Sequence, residues 1–244
     1  MKSSLTINFS QETVEILNSG KYTLCCFLAC ESSVNPLSFN PLCWNVTKDF
    51  LKSVLIEWEF NLCSYLSTSV IADNKIIYIA PLETSISKPT AKFKSVAGST
   101  YEIELKQRML IEDYGKVSID TQNTLKNVLI QNDSSTAYTT GICIYSNTDE
   151  QYYGNCVFNT YGNHNIKVAP VNKAFLMFSS QDIQNNTVIL NSDNPGILID
   201  LTTSEDNSRT VSYDINTGWN SNNQLWVKQY PRRTDLRKIL VSNV

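Results

Sequence analysis

The chain has one histidine, His164, and only eight glycines in 244 residues. One histidine excludes zinc sites built on two or three imidazoles. It also leaves a Ser–His–Asp triad only formally possible, because no Gly-x-Ser-x-Gly elbow accompanies it. The ordinary reading of His164 is a surface residue beside the Tyr161-Gly162-Asn163 turn. No Gly-rich phosphate loop, Gly-x-Gly-x-x-Gly fingerprint or Walker motif occurs. No Cys-x-x-Cys pair occurs either, which argues against zinc ribbons and thioredoxin chemistry. An EF-hand loop is missing. Asp193-Asn194 and Glu205-Asp206-Asn207 could hold calcium but are ordinary turn chemistry. No cofactor is expected.

Long apolar runs are also missing. None reaches the roughly 18 residues of a membrane helix. The start, Met-Lys-Ser-Ser-Leu-Thr-Ile-Asn-Phe, lacks the apolar core and small-residue cleavage site of a signal peptide. The expectation is a soluble chain outside the usual secretory route. Charged residues make up 18% and the net charge is −3. That balance offers no global attraction to nucleic acid. It is uneven, however. From Lys228 onward five basic residues (Lys228, Arg232, Arg233, Arg237, Lys238) meet one acidic, Asp235, leaving the tail at +4 and the remainder at −7. The tail is either a solvated end or a basic segment for the acidic surface of a neighbouring copy.

What the chain does have is cysteine: seven, an odd number. Five fall in the first half (Cys25, Cys26, Cys30, Cys43, Cys63), followed by Cys143 and Cys156. An odd count leaves at least one thiol without an internal partner, either buried as a small apolar group or bonded to another chain. Consecutive residues of a strand point to opposite faces. Cys26 and Cys30 therefore share one face and Cys25 takes the other. If one face is core, the other presents thiol to solvent, a neighbouring strand or another molecule. Cys25, Cys26 and Cys30, with Cys43 next, are the candidates for an intermolecular disulfide; the competing reading has all seven buried and inert. Four Asn-x-Ser/Thr sites (Asn8, Asn45, Asn132, Asn185) are what chance supplies in so Asn- and Ser-rich a chain.

Strand signals run throughout, and the expected class is all-β with little helix. In Leu55–Leu62, Ile56, Trp58, Phe60 and Leu62 share a face opposite Glu57, Glu59 and Asn61. Further strands are expected at Tyr22–Cys30, Lys75–Ala80, Ser99–Leu105, Leu125–Ile130, Tyr138–Tyr145, Tyr152–Phe158, Asn165–Ala169, Ala174–Phe178, Thr187–Leu190, Ile197–Leu201, Thr210–Ile215 and Leu225–Gln229. Asn-, Asp- and Gly-containing turns separate many of them. A short helix is expected around Thr234–Leu240. Such spacing is that of sandwiches and barrels. The stretch Ile111–Thr124 is the best boundary, which predicts two tandem β-sandwiches, 1–114 and 115–244, the first cysteine-rich.

Glu57 and Glu59 flank Trp58, a grouping that invites a glycosidase reading. Catalytic carboxylates must face each other across roughly 5 to 9 Å, whereas these point the same way, so a solvent-facing strand is the default. Tyr152, Tyr153, Tyr161, Trp219, Trp226 and Tyr230 lie toward loops or strand ends. Gathered at one end they would suit a lectin or a lipid-touching sandwich; singly they are core or edge residues.

Lys173-Ala-Phe-Leu-Met-Phe-Ser-Ser-Gln-Asp-Ile, Ile197-Leu-Ile-Asp-Leu-Thr-Thr and Trp219, with Tyr22-Thr-Leu-Cys-Cys-Phe and Leu55-Ile-Glu-Trp-Glu-Phe, carry a resemblance. The chain resembles a little-characterised family of fungal and bacterial two-domain β proteins, the octin family of crystal-forming proteins in fungal gravity sensing. The resemblance implies dense crystals in a vacuole or other inclusion, with disulfides helping assembly. It supplies no site residues. The first expectation is therefore a non-enzymatic, self-assembling structural protein whose partner is itself. The second is a glycan- or membrane-binding module, and the last a hydrolase.

Overall fold

The structure, a computed structural model, describes residues 2–82, 98–123, 125–220 and 223–243. In chain order it contains β1 (Lys2–Phe9), α1 (Gln11–Ser19), β2 (Thr23–Ser32), β3 (Asn40–Pro41), β4 (Asn45–Thr47), β5 (Ser53–Ser67), β6 (Gly98–Ile103), β7 (Arg108–Ile111), β8 (Val117–Asp120) and β9 (Val128–Asn132). There follow β10 (Tyr138–Ser146), β11 (Gln151–Thr160), β12 (His164–Ser179), β13 (Gly196–Asp200), β14 (Ser208–Asp214), β15 (Gly218–Asn220), β16 (Val227–Tyr230), α2 (Arg237–Leu240) and β17 (Val241–Asn243). The fold is all-β, with two curled sheets and little helix, as the alternation predicts.

The first sheet runs β15-β14-β1-β5-β10-β11-β3, with β6 also on β5. The second runs β16-β13-β12-β9-β7-β8, and β2 joins it on β12, flanked by β4 and β17. Buried side chains of both sheets form one cluster, including Leu5, Ile7, Ile56, Trp58 and Ile144 from the first and Phe27, Val128, Phe175 and Met177 from the second. On β5 the expected inward set holds: Ile56, Trp58 and Leu62 are buried and Phe60 packs against the same cluster. Trp44, between β3 and β4, meets Trp58 edge-on at 6.1 Å and donates its indole N–H to the Ile144 carbonyl at 3.0 Å. Burying two such rings stabilises the sandwich by several kcal/mol, at about 25 cal/mol per Å² of apolar surface.

Pairing crosses the expected boundary near residue 115. β1 lies parallel to β14, β5 antiparallel to β10, and β2 antiparallel to β12. The Glu112-Asp113-Tyr114-Gly115 stretch is the connection of the β7–β8 hairpin, made by Tyr114 and Gly115 at φ 63° and 72°. Thr124, the last residue of the expected boundary stretch, lies outside the described residues. Residues 1–114 and 115–244 thus each contribute strands to both sheets.

Several expected elements differ. Asn165–Ala169 and Ala174–Phe178 are one strand, β12, whose register against β2 shifts between Val171 and Ala174. Lys75–Ala80 and Thr187–Leu190 are not strands and make only the isolated bridges Ile76 to Thr187 and Leu42 to Val188. They lie over the outer face of the first sheet. There Ile71, Ile77, Ile79, Val188 and Leu190 cover Cys63, Tyr65, Cys143 and Val157. This covering explains why β5 is buried on both faces from Leu62 onward. The helix α1 was not expected. Ser10 caps it by accepting from the Thr13 N–H at 3.2 Å, and Thr13, Val14 and Leu17 form its buried stripe.

The expected C-terminal helix is present as α2, with Leu236 and Leu240 buried, and β17 then pairs in parallel with β2. The basic tail is partly tied down: Arg237 binds Asp235 at 2.9 Å and Lys228 lies over the Tyr230 ring at 5.1 Å. Arg232, Arg233 and Lys238 remain exposed.

Gly141 on β10 faces Tyr65, whose hydroxyl donates to the Cys156 carbonyl at 2.8 Å. An added Cβ would meet that carbonyl oxygen and sit 2.6 Å from the Tyr65 hydroxyl. Gly141→Ala is expected to lower the urea-unfolding free energy by about 1–3 kcal/mol through overpacking. Gly218→Ala, in open space at φ 83°, should lose about 1 kcal/mol from backbone strain alone. An unchanged midpoint for Gly141→Ala contradicts this packing.

Candidate functional site

All seven thiols are free and buried. Cys25, Cys26, Cys30 and Cys43 are each no more than 1% exposed. The alternation of β2 does send Cys25 and Cys26 to opposite faces, but both faces are covered. Every residue from Thr23 to Cys30 is buried, and α2 packs on the strand. Of the alternatives for the second face (solvent, a neighbouring strand or another molecule), solvent is therefore excluded, and none of the four candidates for an intermolecular disulfide is presented at the surface.

Six of the seven fall into three pairs. The Cys25 thiol neighbours that of Cys43, and Cys43 Sγ donates to the Asn45 carbonyl at 3.6 Å. Cys30, in the second sheet, neighbours Cys156, in the first, within the shared core. Beside that contact the Asn155 side-chain amide donates to the Leu28 carbonyl at 2.8 Å, a second link between sheets. Cys63 and Cys143 are register partners on β5 and β10. Cys26 lies outside these pairs.

The thiols are held protonated. The neighbouring Cys43 thiol and burial raise the Cys25 pKa well above its ordinary 9.0. Burial and the Cys156 contact do the same for Cys30. Burial alone dominates at Cys26 and Cys143, and Cys63 is pushed up to about 12 by burial and the nearby Glu102 carboxylate. Such thiols are poor nucleophiles and poor metal ligands.

His164 opens β12 at the surface. Its Nδ1 lies 2.8 Å from the Gly162 carbonyl, an acceptor, so Nδ1 carries a proton and donates it there. The Tyr161 ring stands edge-on at 6.0 Å and is 57% exposed. Both line a groove of about 550 Å³ that continues along Asn35, Asn40, Asn159 and Asn165, with Leu37 and Ile71 as apolar wall. Asn35 Oδ1 accepts from the Leu37 N–H at 2.9 Å and the Asn40 side-chain amide donates to the Val157 carbonyl at 3.3 Å, so both side chains are oriented. None of the groove's lining residues is Asp, Glu, Lys or Arg.

The other expected sites are not brought together. Glu57 binds Lys2 at 2.8 Å, and Glu59 accepts from the Asn61 amide at 3.1 Å. The loop aromatics are dispersed: Trp219 stacks on Phe178 at 5.5 Å, Trp226 lies under Arg209 at 4.8 Å, and Tyr152 meets Tyr145 at 5.2 Å. A larger hollow of about 710 Å³, lined by Lys21, Phe50 and Leu51, has Lys48 tied to Asp182 at 2.6 Å. Among the described residues no group of three or more His, Cys, Asp and Glu could hold a metal, and no helix is long and apolar enough to cross a membrane. The four groove asparagines carry no sequence signal, since asparagine throughout this chain reads as turn chemistry.

No protein-family description matches the chain, and neither the curated proteins nor the solved structures searched contain a match.

Because folding raises the pKa of five thiols, stability is full below their ordinary value of 9.0 and is lost as the pH climbs above it toward the folded values. Urea midpoints of the reduced protein should be flat from neutrality to pH 9.0 and fall beyond it, together with rising thiolate absorbance. A midpoint that holds while thiolate forms would show that the thiols are not sealed in the core.

Proposed function

We propose that this protein is a non-catalytic binding module whose Tyr161–His164 groove takes a neutral, hydroxyl-rich ligand of the saccharide class. The groove's charge-free lining of four amides beside one exposed aromatic supports this reading. Planar amides both donate and accept, which suits the alternating demands of sugar hydroxyls. An exposed tyrosine face suits the apolar C–H side of a pyranose. A phosphate or carboxylate ligand would call for a cation, and the lining contains no lysine or arginine. The groove spans the end of β11, the start of β12 and the turn between them that carries Tyr161.

A glycan array with the purified full chain is the test. Binding to a defined saccharide should be lost by about tenfold or more in Tyr161→Ala, about 1.4 kcal/mol. Tyr114→Ala, which removes a fully exposed aromatic from the β7–β8 turn, should leave it unchanged. A blank array, or loss by both variants alike, removes the reading.

Self-assembly is a second reading. It is favoured by Val70, Ile76 and Tyr78, exposed at 82%, 51% and 50% on one surface segment, together with the exposed Arg232, Arg233 and Lys238. Exposed apolar patches mark contacts. Contacts through these groups would be noncovalent, weakened by salt at the basic end and indifferent to reductant. Light scattering should then show particles larger than the 27.6 kDa chain that shrink with salt but not with reductant. A single small species in every buffer excludes it.

A further inference from the structure

We infer that the cysteines form a set of three intrachain disulfide sites, Cys25–Cys43, Cys30–Cys156 and Cys63–Cys143, with Cys26 the one thiol left over. In two of the pairs all four thiols lie in one buried cluster, and the backbone beside each pair is tied together, Trp44 N–H to the Cys26 carbonyl at 2.9 Å and the Asn155 amide to the Leu28 carbonyl at 2.8 Å. Cys43, with burial, raises the Cys25 pKa, and burial with Cys156 raises that of Cys30. The third occupies directly opposed positions of an antiparallel ladder. Opposed residues there have Cα atoms roughly 4.5 to 5.5 Å apart, inside the roughly 4.4 to 6.8 Å that a disulfide spans. Each pair ties different elements. Cys25–Cys43 fastens β2 to the segment before β4. Cys30–Cys156 joins the two sheets through the core. Cys63–Cys143 staples β5 to β10 beneath the covering segment of Ile71, Ile77 and Ile79. Three pairs and one thiol left over account for the odd total. Bonds would be within the chain, not between chains.

The chemistry needs an oxidant, here a low-molecular-weight disulfide. One cysteine thiolate attacks a sulfur of the small disulfide, forming a mixed disulfide and expelling a small thiolate. The thiolate of the paired cysteine then attacks the cysteine sulfur of that mixed disulfide, forming the protein bond and expelling a second small thiolate. Two protein thiols are oxidised, one small disulfide is reduced to two thiols, and the two protons pass to the leaving thiolates. In the folded protein the thiols are sealed and protonated, so exchange proceeds while the sheets are still apart. The reduced fold, once closed, resists oxidation.

The full chain is refolded from denaturant with a mixture of oxidised and reduced glutathione, or with excess reductant. It is then acid-quenched, denatured and alkylated. The oxidised monomer should alkylate at Cys26 alone, and the reduced protein at all seven cysteines. Cys43→Ala, Cys156→Ala and Cys143→Ala should each add a single alkylated site, at Cys25, Cys30 and Cys63 respectively. Cys26→Ala should leave none, and this reads the same three bonds if another variant fails to fold. A bond that includes Cys26, covalent links between chains, or seven alkylatable thiols after oxidative refolding would overturn the assignment.

Discussion

The pairing of β2 with β12 is the constraint on which the remainder depends. It runs for ten registered pairs, from Val168–Ser32 to Ser179–Thr23, interrupted only by the shift at Val171/Ala174. It joins residues far apart in sequence, so its loop-closure cost is met late and only when both strands can bury their faces. Once made, it sets the position of everything attached to β2. β4 pairs at Leu24 to Cys26, β17 adds in parallel at Cys30 to Ser32, and α2 packs on the strand with Leu240 buried. It also fixes β12, whose first residues carry the groove. The shift between Val171 and Ala174 lets one strand serve both β9 at its start and β13 at its end.

A strand buried on both faces explains the cysteines. β2 reads Thr-Leu-Cys-Cys-Phe-Leu-Ala-Cys, without polar alternation, and is covered from two sides. Cysteine suits such a position, since it is small, apolar and able to sit beside a ring such as Phe27 without overfilling the core. The same holds on β5 beyond Leu62, where an extended segment without strand pairing of its own covers Cys63 and Tyr65. There the buried hydroxyl of Tyr65 is satisfied by the Cys156 carbonyl, and Gly141 is small because that hydroxyl needs the space.

The sequence made the class and most strands legible because alternation is local. Ile56, Trp58 and Phe60 against Glu57, Glu59 and Asn61 can be read without knowing what they face. The partners of a strand are not local, and the division near residue 115 rested on turn-like chemistry, Asp113-Tyr114-Gly115, that a hairpin and a linker share. Lys75–Ala80 alternates like a strand because it too buries one side, Ile77 and Ile79, against the outer face of a sheet without extending it, whereas Thr187–Leu190 reads as apolar because Val188 enters that covering and Ile189 the main core. The helix α1 was legible in principle: Ser10 as cap, Glu12 in the first turn, Val14 and Leu17 at helical spacing. A nine-residue helix gives so short a period that a chain dense in strand signals hides it.

The exposure of the cysteines was illegible for a related reason. Alternation along β2 correctly separates Cys25 from Cys26, but says nothing of whether the second face is covered, which depends on segments distant in the chain. The groove raises the opposite difficulty. Asn35, Asn40, Asn159 and Asn165 come from three segments, and only the meeting of β3, β11 and β12 gathers them beside Tyr161. Their value lies in what surrounds them. Acidic residues elsewhere bind cations on the surface, as Asp120 binds Arg108 and Asp200 binds Lys173, whereas this concave surface carries no fixed charge and one histidine. In a chain with a net negative charge, a neutral concavity with oriented amides neither repels an anionic partner strongly nor attracts a cationic one. A ligand of the proposed saccharide class would be selected there by hydrogen-bond geometry and ring contact, the terms by which hydroxyl-rich neutral molecules are distinguished from water.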